Sequence, residues 1–177
     1  MADSKKLTTL KALTDYLKTE VSVANGYKHD LAGKVFRGRM FFTRDDAAPM
    51  VSLLENLDPD RYPRLAGGDY DAPTSKEDWV ILVQGWVDDD KVNPTNPAYE
   101  LMADVRKALA KLRRRGGPME PEDSYPNYYL GGLISGITME PGIVRPPIEQ
   151  VSERALFWMR VTLKFVEDQN DPYNLDN

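Results

Sequence analysis

The sequence predicts an α+β fold, a mostly antiparallel sheet of about five strands with two main helices packed on one face. Three stretches carry the prediction. Trp79 to Val87 reads as a buried strand, Asn96 to Leu112 as a capped amphipathic helix, and Phe157 to Val166 as a strand with strict alternation. Strands in runs, separated by only two helices, suit an antiparallel sheet with helices segregated to one side.

The elements follow in order. Leu7, Leu10, Leu13, Leu17 and Val21 recur at helical spacing, with Asp3 or Ser4 ahead as caps and Lys5, Lys11, Asp15 and Lys18 on the outer face. Asn25-Gly26 is a turn dipeptide that ends this helix. From Tyr27 the period changes to two. Phe36, Gly38, Met40 and Phe42 alternate with Val35, Arg37, Arg39 and Phe41, which predicts a half-buried strand with both arginines side by side on one face. A polar turn at Arg44-Asp45-Asp46 then leads to Pro49–Glu55, a shorter strand expected to pair back as a hairpin. Residues 56 to 78 hold three prolines, Gly67-Gly68 and several aspartates, the composition of a long exposed loop.

Trp79 to Val87 is β-branched and aromatic, and apolar on both alternating faces as far as Gln84, as a central strand should be. Asp88, Asp89 and Asp90 end it, because three adjacent carboxylates repel one another and seek water. Asn96 followed by Pro97 reads as an N-cap with proline at the first helical position. Behind it Ala98, Leu101, Met102, Val105, Ala108, Leu109 and Leu112 form one stripe, and Glu100, Asp104, Arg106, Lys107 and Lys111 the polar face. Arg113, Arg114 and Arg115 crowd the negative end of the helix dipole before Gly116-Gly117-Pro118 breaks it. Residues 116–128 form a second polar loop. Tyr128 to Met139 is an apolar strand loosened by Gly131, Gly132 and Gly136, and the prolines of 140–147 stop it. Phe157, Met159, Val161, Leu163 and Phe165 alternate with Trp158, Arg160, Thr162, Lys164 and Val166 in the cleanest amphipathic strand. Residues 169–177 form a polar tail that frays or docks on a partner.

With 177 residues, 41% hydrophobic and 29% charged, the chain is expected to be a single globular domain with a full core. A net charge of −5 argues against specific nucleic-acid binding, which needs a basic surface. The absence of cysteine excludes thiolate metal sites, disulfides and a cysteine nucleophile. No apolar run reaches membrane-spanning length and the first residues lack the apolar core of a secretion signal, so a soluble protein made in the cytosol, without a membrane partner, is expected.

The chemical inventory is sparse. Asp88-Asp89-Asp90 lacks the glycine-bearing loop and distal glutamate of a calcium loop, and a solvated turn is the better reading. His29, the one histidine, cannot pair easily with Asp30, since adjacent residues of a strand point to opposite faces; it reads as an ordinary, partly exposed histidine. Gly131-Gly132 and Gly136 do not have the spacing of a dinucleotide fingerprint, and no phosphate-binding loop or nucleophile elbow is present. No catalytic, metal or cofactor site is therefore assigned, and the protein is not expected to be an enzyme. The charged strand faces invite contact instead. Arg37 and Arg39 and the Arg113–Arg115 end are candidate interface residues, with a solvated face and a dipole complement as the plainer reading; Trp158, set among Arg160, Thr162 and Lys164, is an interface residue or else sits under the long loops.

The run Asn25-Gly26-Tyr27, then Val35–Arg39, Pro49–Glu55, Trp79 to Asp90 and Asn93–Leu101 resembles, over roughly residues 7 to 112, the tail terminator group of phage tail-completion proteins. The resemblance implies a structural virion protein assembled in the host cytoplasm, without catalytic residues or cofactor. It implies a homo-oligomeric ring, a hexamer, on the head-proximal end of the tail tube, where it stops tube polymerisation and meets the head-tail connector. The tail tube protein and the neck proteins would then be its partners. A closed ring needs a heterologous interface, for which Arg37, Arg39 and Arg113–Arg115 on one side and Glu55 with Asp88, Asp89 and Asp90 on another are the candidates. Residues 116–177, with two proline-rich segments, depart from the group and leave room for another neck role, adaptor or stopper. A small ligand-binding or metal-dependent hydrolytic domain, with residues 131–136 and the acidic cluster as its pocket, is the remaining alternative.

Overall fold

The computed structural model describes residues 2–43, 45–55, 74–113, 129–148 and 152–175. Helix α1 spans Lys5–Glu20, with the Ser4 hydroxyl accepting from the Leu7 amide at 3.4 Å. Its Leu13, Leu17 and Val21 are fully buried. Lys5, expected on the outer face, is 1% exposed. Its backbone N–H donates to Pro172 O at 2.9 Å, so the stretch after the last strand meets the first turn of the chain's own helix. In the stretch expected to fray or dock on a partner, the contact at Pro172 is with the chain's own α1.

Among the described residues six strands form one sheet: β1 (Val35–Arg37), β2 (Met50–Glu55), β3 (Thr74–Val87), β4 (Gly136–Met139), β5 (Ile143–Arg145) and β6 (Ala155–Asp168). The order is β1-β2-β3-β6-β4, with β5 also against β6. Every pairing is antiparallel except β1 with β2. The spine is the β3–β6 ladder, in register from Thr74↔Asp168 to Val87↔Ala155.

Several local expectations are overturned. The expected 35–42 strand stops at Arg37, because Gly38 turns into the left-handed region (φ 66) and donates its N–H to Leu53 O. The chain then crosses over instead of reversing, so β1 and β2 are parallel and not a hairpin. β3 begins at Thr74, five residues before Trp79; the rest of the expected loop, residues 56–73, lies outside the described residues. The 128–139 stretch opens with a 3-10 turn at Leu130–Gly132, where Leu130, Gly131 and Gly132 all have positive φ, and becomes a strand only at Gly136. Residues 140–147 hold β5, which fits between Pro141 and Pro146 so that no proline has to donate to the ladder. The 116–128 loop is outside the described residues.

Helix α2 runs Asn96–Arg113. Tyr99 N donates to Thr95 O at 3.1 Å, so the cap stands at Thr95, one residue earlier than expected. All seven residues of the expected stripe are buried. They join Leu13 and Leu17 of α1, Ile81 and Val83 of β3 and the odd-numbered positions of β6 from Phe157 to Phe165 in one core, which places both helices on the same side of the sheet. Near the Val87↔Ala155 end of the ladder the Phe157 ring lies over Gly85, its register partner, so closely that a Cβ there would stand 2.2 Å from Phe157 Cε1. Tyr16 OH donates to Ala108 O at 2.7 Å and ties the two helices together.

Candidate interaction surface

The even-numbered positions of β6 point away from the helices. On that side Met50, Trp86 and Leu156 form a small second core, with Phe36, Phe42 and Trp158 packed against it. Phe42 arrives from the β1–β2 crossover, its ring 4.2 Å from Trp86 and 5.7 Å from Phe36. Arg39 stacks on both phenyl rings, its guanidinium carbon 4.9 Å from Phe36 and 4.6 Å from Phe42, and pairs with Asp46 at 2.5 Å. Asp46 also accepts from Thr43 N and Oγ1 at 2.8 and 3.1 Å. The Thr43 backbone N–H, then Arg39, hold the Asp46 carboxyl below its ordinary range. The crossover is thus stapled, and its tip leaves Met40 44% and Phe41 83% exposed.

This geometry corrects the paired arginines. Arg37 is exposed at the end of β1, whereas Arg39 clamps the crossover, with Gly38 breaking the alternation that would have set them side by side. Trp158 is half-buried on the helix-free side, between Gln84 and Ile143 in register, with the Arg145 guanidinium 5.9 Å from its ring. Further along, Lys164 pairs with Asp78 at 3.0 Å, and Arg160 stands 3.9 Å from Glu140. An aromatic residue with guanidinium groups nearby is a common arrangement at protein interfaces.

The acidic bend behaves as a turn. Asp90 Oδ1 accepts from Asn93 N at 2.6 Å and from Val92 N at 2.8 Å, and these bonds keep its carboxyl below the ordinary range. Asp88 pairs with Arg154 Nε at 3.0 Å, and Asp89 is exposed. Glu55 is exposed at the end of β2. Arg113 ends α2 with its side chain outside the description, and Arg114 and Arg115 lie outside the described residues altogether. No group of three or more acidic or histidine side chains placed to hold a metal occurs among the described residues.

A second polar assembly joins α1, α2 and the chain between them. Asp104, expected on the solvent face of α2, is 7% exposed, because the chain after α1 passes over it. Its Oδ2 accepts from Lys28 N at 2.9 Å, His29 N at 3.0 Å and His29 Nδ1 at 2.8 Å. A carboxylate only accepts, so Nδ1 carries the proton. His29 and Asp30 precede β1 and do not lie in a strand; Asp30 accepts from Ala32 N, and the histidine read as an ordinary one is clasped by Asp104. Alongside, Tyr27 OH donates to Glu20 at 2.7 Å, Lys111 reaches the same carboxylate at 2.6 Å, and Lys107 donates to Gly26 O at 2.7 Å. Lys28 pairs with Glu100. The one sequence signal for this clasp is that Asp104 flanks the apolar stripe directly, beside Val105 and three residues after Leu101.

Burial, reinforced by the Glu20 hydrogen bond, raises the Tyr27 phenol well above its ordinary value. A raised folded-state value means that the stabilisation is complete below the unfolded tyrosine pKa of about 10 and is lost as pH rises beyond it. Circular dichroism during alkaline titration should show Tyr27→Phe unfolding at higher pH than the parent, since phenylalanine has no proton to lose; an unchanged midpoint would remove Tyr27 from the alkaline transition.

Comparison of the chain with models of protein families and with curated proteins gave no match.

Proposed function

We propose that this chain is a structural ring subunit of a phage virion, seated at the head-proximal end of the tail tube, where it ends tube polymerisation and joins the tail to the head-tail connector. The observation that carries the reading is the side of the sheet turned away from both helices, where Trp158 lies half-buried with Arg145 beside it and the stapled crossover puts Phe41 into solvent. Two distinct surfaces, the Trp158 side and the Arg37 edge, suit the head-to-tail contacts of a closed ring. The order of sequence segments from residue 7 to 112, which resembles the tail terminator group, agrees with it. The tail tube protein, neck proteins and further copies of the chain are the proposed partners.

Electron microscopy of particles made without this gene tests the reading. Overlong tubes, or tails without heads, are expected. Tails of normal length that fail to join heads would make the chain an adaptor or stopper of the neck, and normal virions would refute a structural role. Trp158→Ala and Arg37→Glu should each leave far-UV circular dichroism unchanged while weakening ring assembly; for Trp158 a loss of about 2 kcal/mol, roughly thirtyfold in affinity, is the scale of an interface anchor. Arg39 is unsuitable for this test because its reversal would also break the Asp46 staple.

A further inference from the structure

Asn25-Gly26 is the one Asn-Gly pair in the chain, and Asn25 is exposed to water and base. In such a pair the backbone nitrogen of the glycine can attack the asparagine side-chain carbonyl carbon. A C–N bond closes a cyclic succinimide, the Cγ–Nδ2 bond breaks, and the amide nitrogen leaves as ammonia with the proton given up by the attacking N–H. Water then adds to either ring carbonyl and leaves aspartate or its β-linked isomer. Glycine permits this best, having no Cβ to crowd the attacking nitrogen.

Here both reacting groups are occupied. Asn25 Nδ2 donates to Thr19 O at 3.1 Å, a carbonyl past the last helical bond of α1, and to Glu20 O at 3.0 Å, which also accepts from Ser22 N at 3.0 Å. Gly26 N–H donates to Val23 O at 3.0 Å, in a left-handed turn of φ 78. The side chain is drawn back over the helix end and the nucleophile's proton is committed elsewhere. We infer that Asn25 is a site of spontaneous deamidation held shut by the last turn of α1, and that its conversion releases that turn irreversibly. The product carboxylate has no hydrogen to donate, so it sets oxygen against two carbonyl oxygens at the negative end of the helix dipole. The freed turn carries Glu20, the acceptor for Tyr27 and Lys111, and leads to Val21, whose carbonyl accepts from Leu31 N at 2.9 Å. Deamidation would therefore loosen the joint between α1 and the stretch that clasps α2. The inference is independent of the virion role.

The test is peptide mapping by mass spectrometry of the full chain kept in mildly alkaline buffer, once folded and once unfolded in guanidinium. Asn93 and Asn96 are built-in controls, since each precedes a proline whose nitrogen has no proton to give up. Conversion at Asn25 should be rapid in the unfolded chain, and roughly tenfold or more slower in the folded one, where a local opening must come first. Equal rates in the two states, or no conversion in the unfolded chain, would overturn the inference. Asn25→Asp, made directly, should speed amide exchange at Val21 and Leu31; exchange identical to the parent would refute the release.

Discussion

Phe157→Ala should cost about 3–5 kcal/mol of folding stability, the range for deleting a fully buried phenyl ring. Phe157 is 0% exposed on β6, in the third pair from the Val87↔Ala155 end of the β3–β6 ladder, and its ring occupies the space that a side chain on Gly85 would need. The converse change, Gly85→Ala, inserts a Cβ 2.2 Å from Phe157 Cε1 and should cost about 1–3 kcal/mol, because ring or backbone must shift in a packed core. The two sites share one volume and should couple. In the Phe157→Ala background the added methyl of Gly85→Ala enters the cavity left by the ring, so most of the Gly85 penalty disappears. Guanidinium denaturation of the four proteins measures this; strictly additive losses would mean that the ring does not depend on the bare glycine.

Asp104→Ala is the second large effect, expected at about 3 kcal/mol. The substitution leaves the half-buried N–H groups of Lys28 and His29 without an acceptor, and each orphaned donor costs about 1–3 kcal/mol. His29→Ala removes only the Nδ1 bond and part of the packing, so its cost should be smaller, about 1–1.5 kcal/mol. The ranking is the informative part. If His29→Ala proved as damaging as Asp104→Ala, the backbone bonds would not be what holds this segment to α2. Both variants should still fold, since the α2 stripe is untouched.

What the sequence reveals here depends on the range of the interaction. The α2 stripe, the alternation of β6 and the buried part of β3 are legible because periodicity records which side of an element meets the core. The end of β1 is not, since its alternation runs on through Gly38 and only the backbone conformation shows the break. Nor is the parallel pairing of β1 with β2: a short polar turn between two strands reads as a reversal unless the path of the crossover is known. Arg39 and Asp46 show the same limit at the candidate surface, where two charged residues that read as solvent-facing are an internal clamp built on Phe36 and Phe42. The burial of Asp104 is not legible, because 75 residues separate it from His29 and no local pattern records such a contact. Trp158 was legible as an aromatic residue on the polar side of its strand; its place beside Arg145 depends on β5, which lies among prolines.

The order of the strands has a consequence for how the chain is made. β3 sits between β2 and β6, and of the described elements β6 is the last to be synthesised. On the ribosome β3 is complete at Val87 well before Ala155 begins its principal partner, and during that interval one whole edge of the strand has no β6 to pair with. Helices α1 and α2 likewise have only part of their floor, since the core positions from Phe157 to Phe165 do not yet exist. Domains whose N-terminal parts fold during synthesis settle progressively; this sheet cannot, and its nascent form carries an open strand edge and uncovered apolar side chains until the final strand arrives and closes the middle.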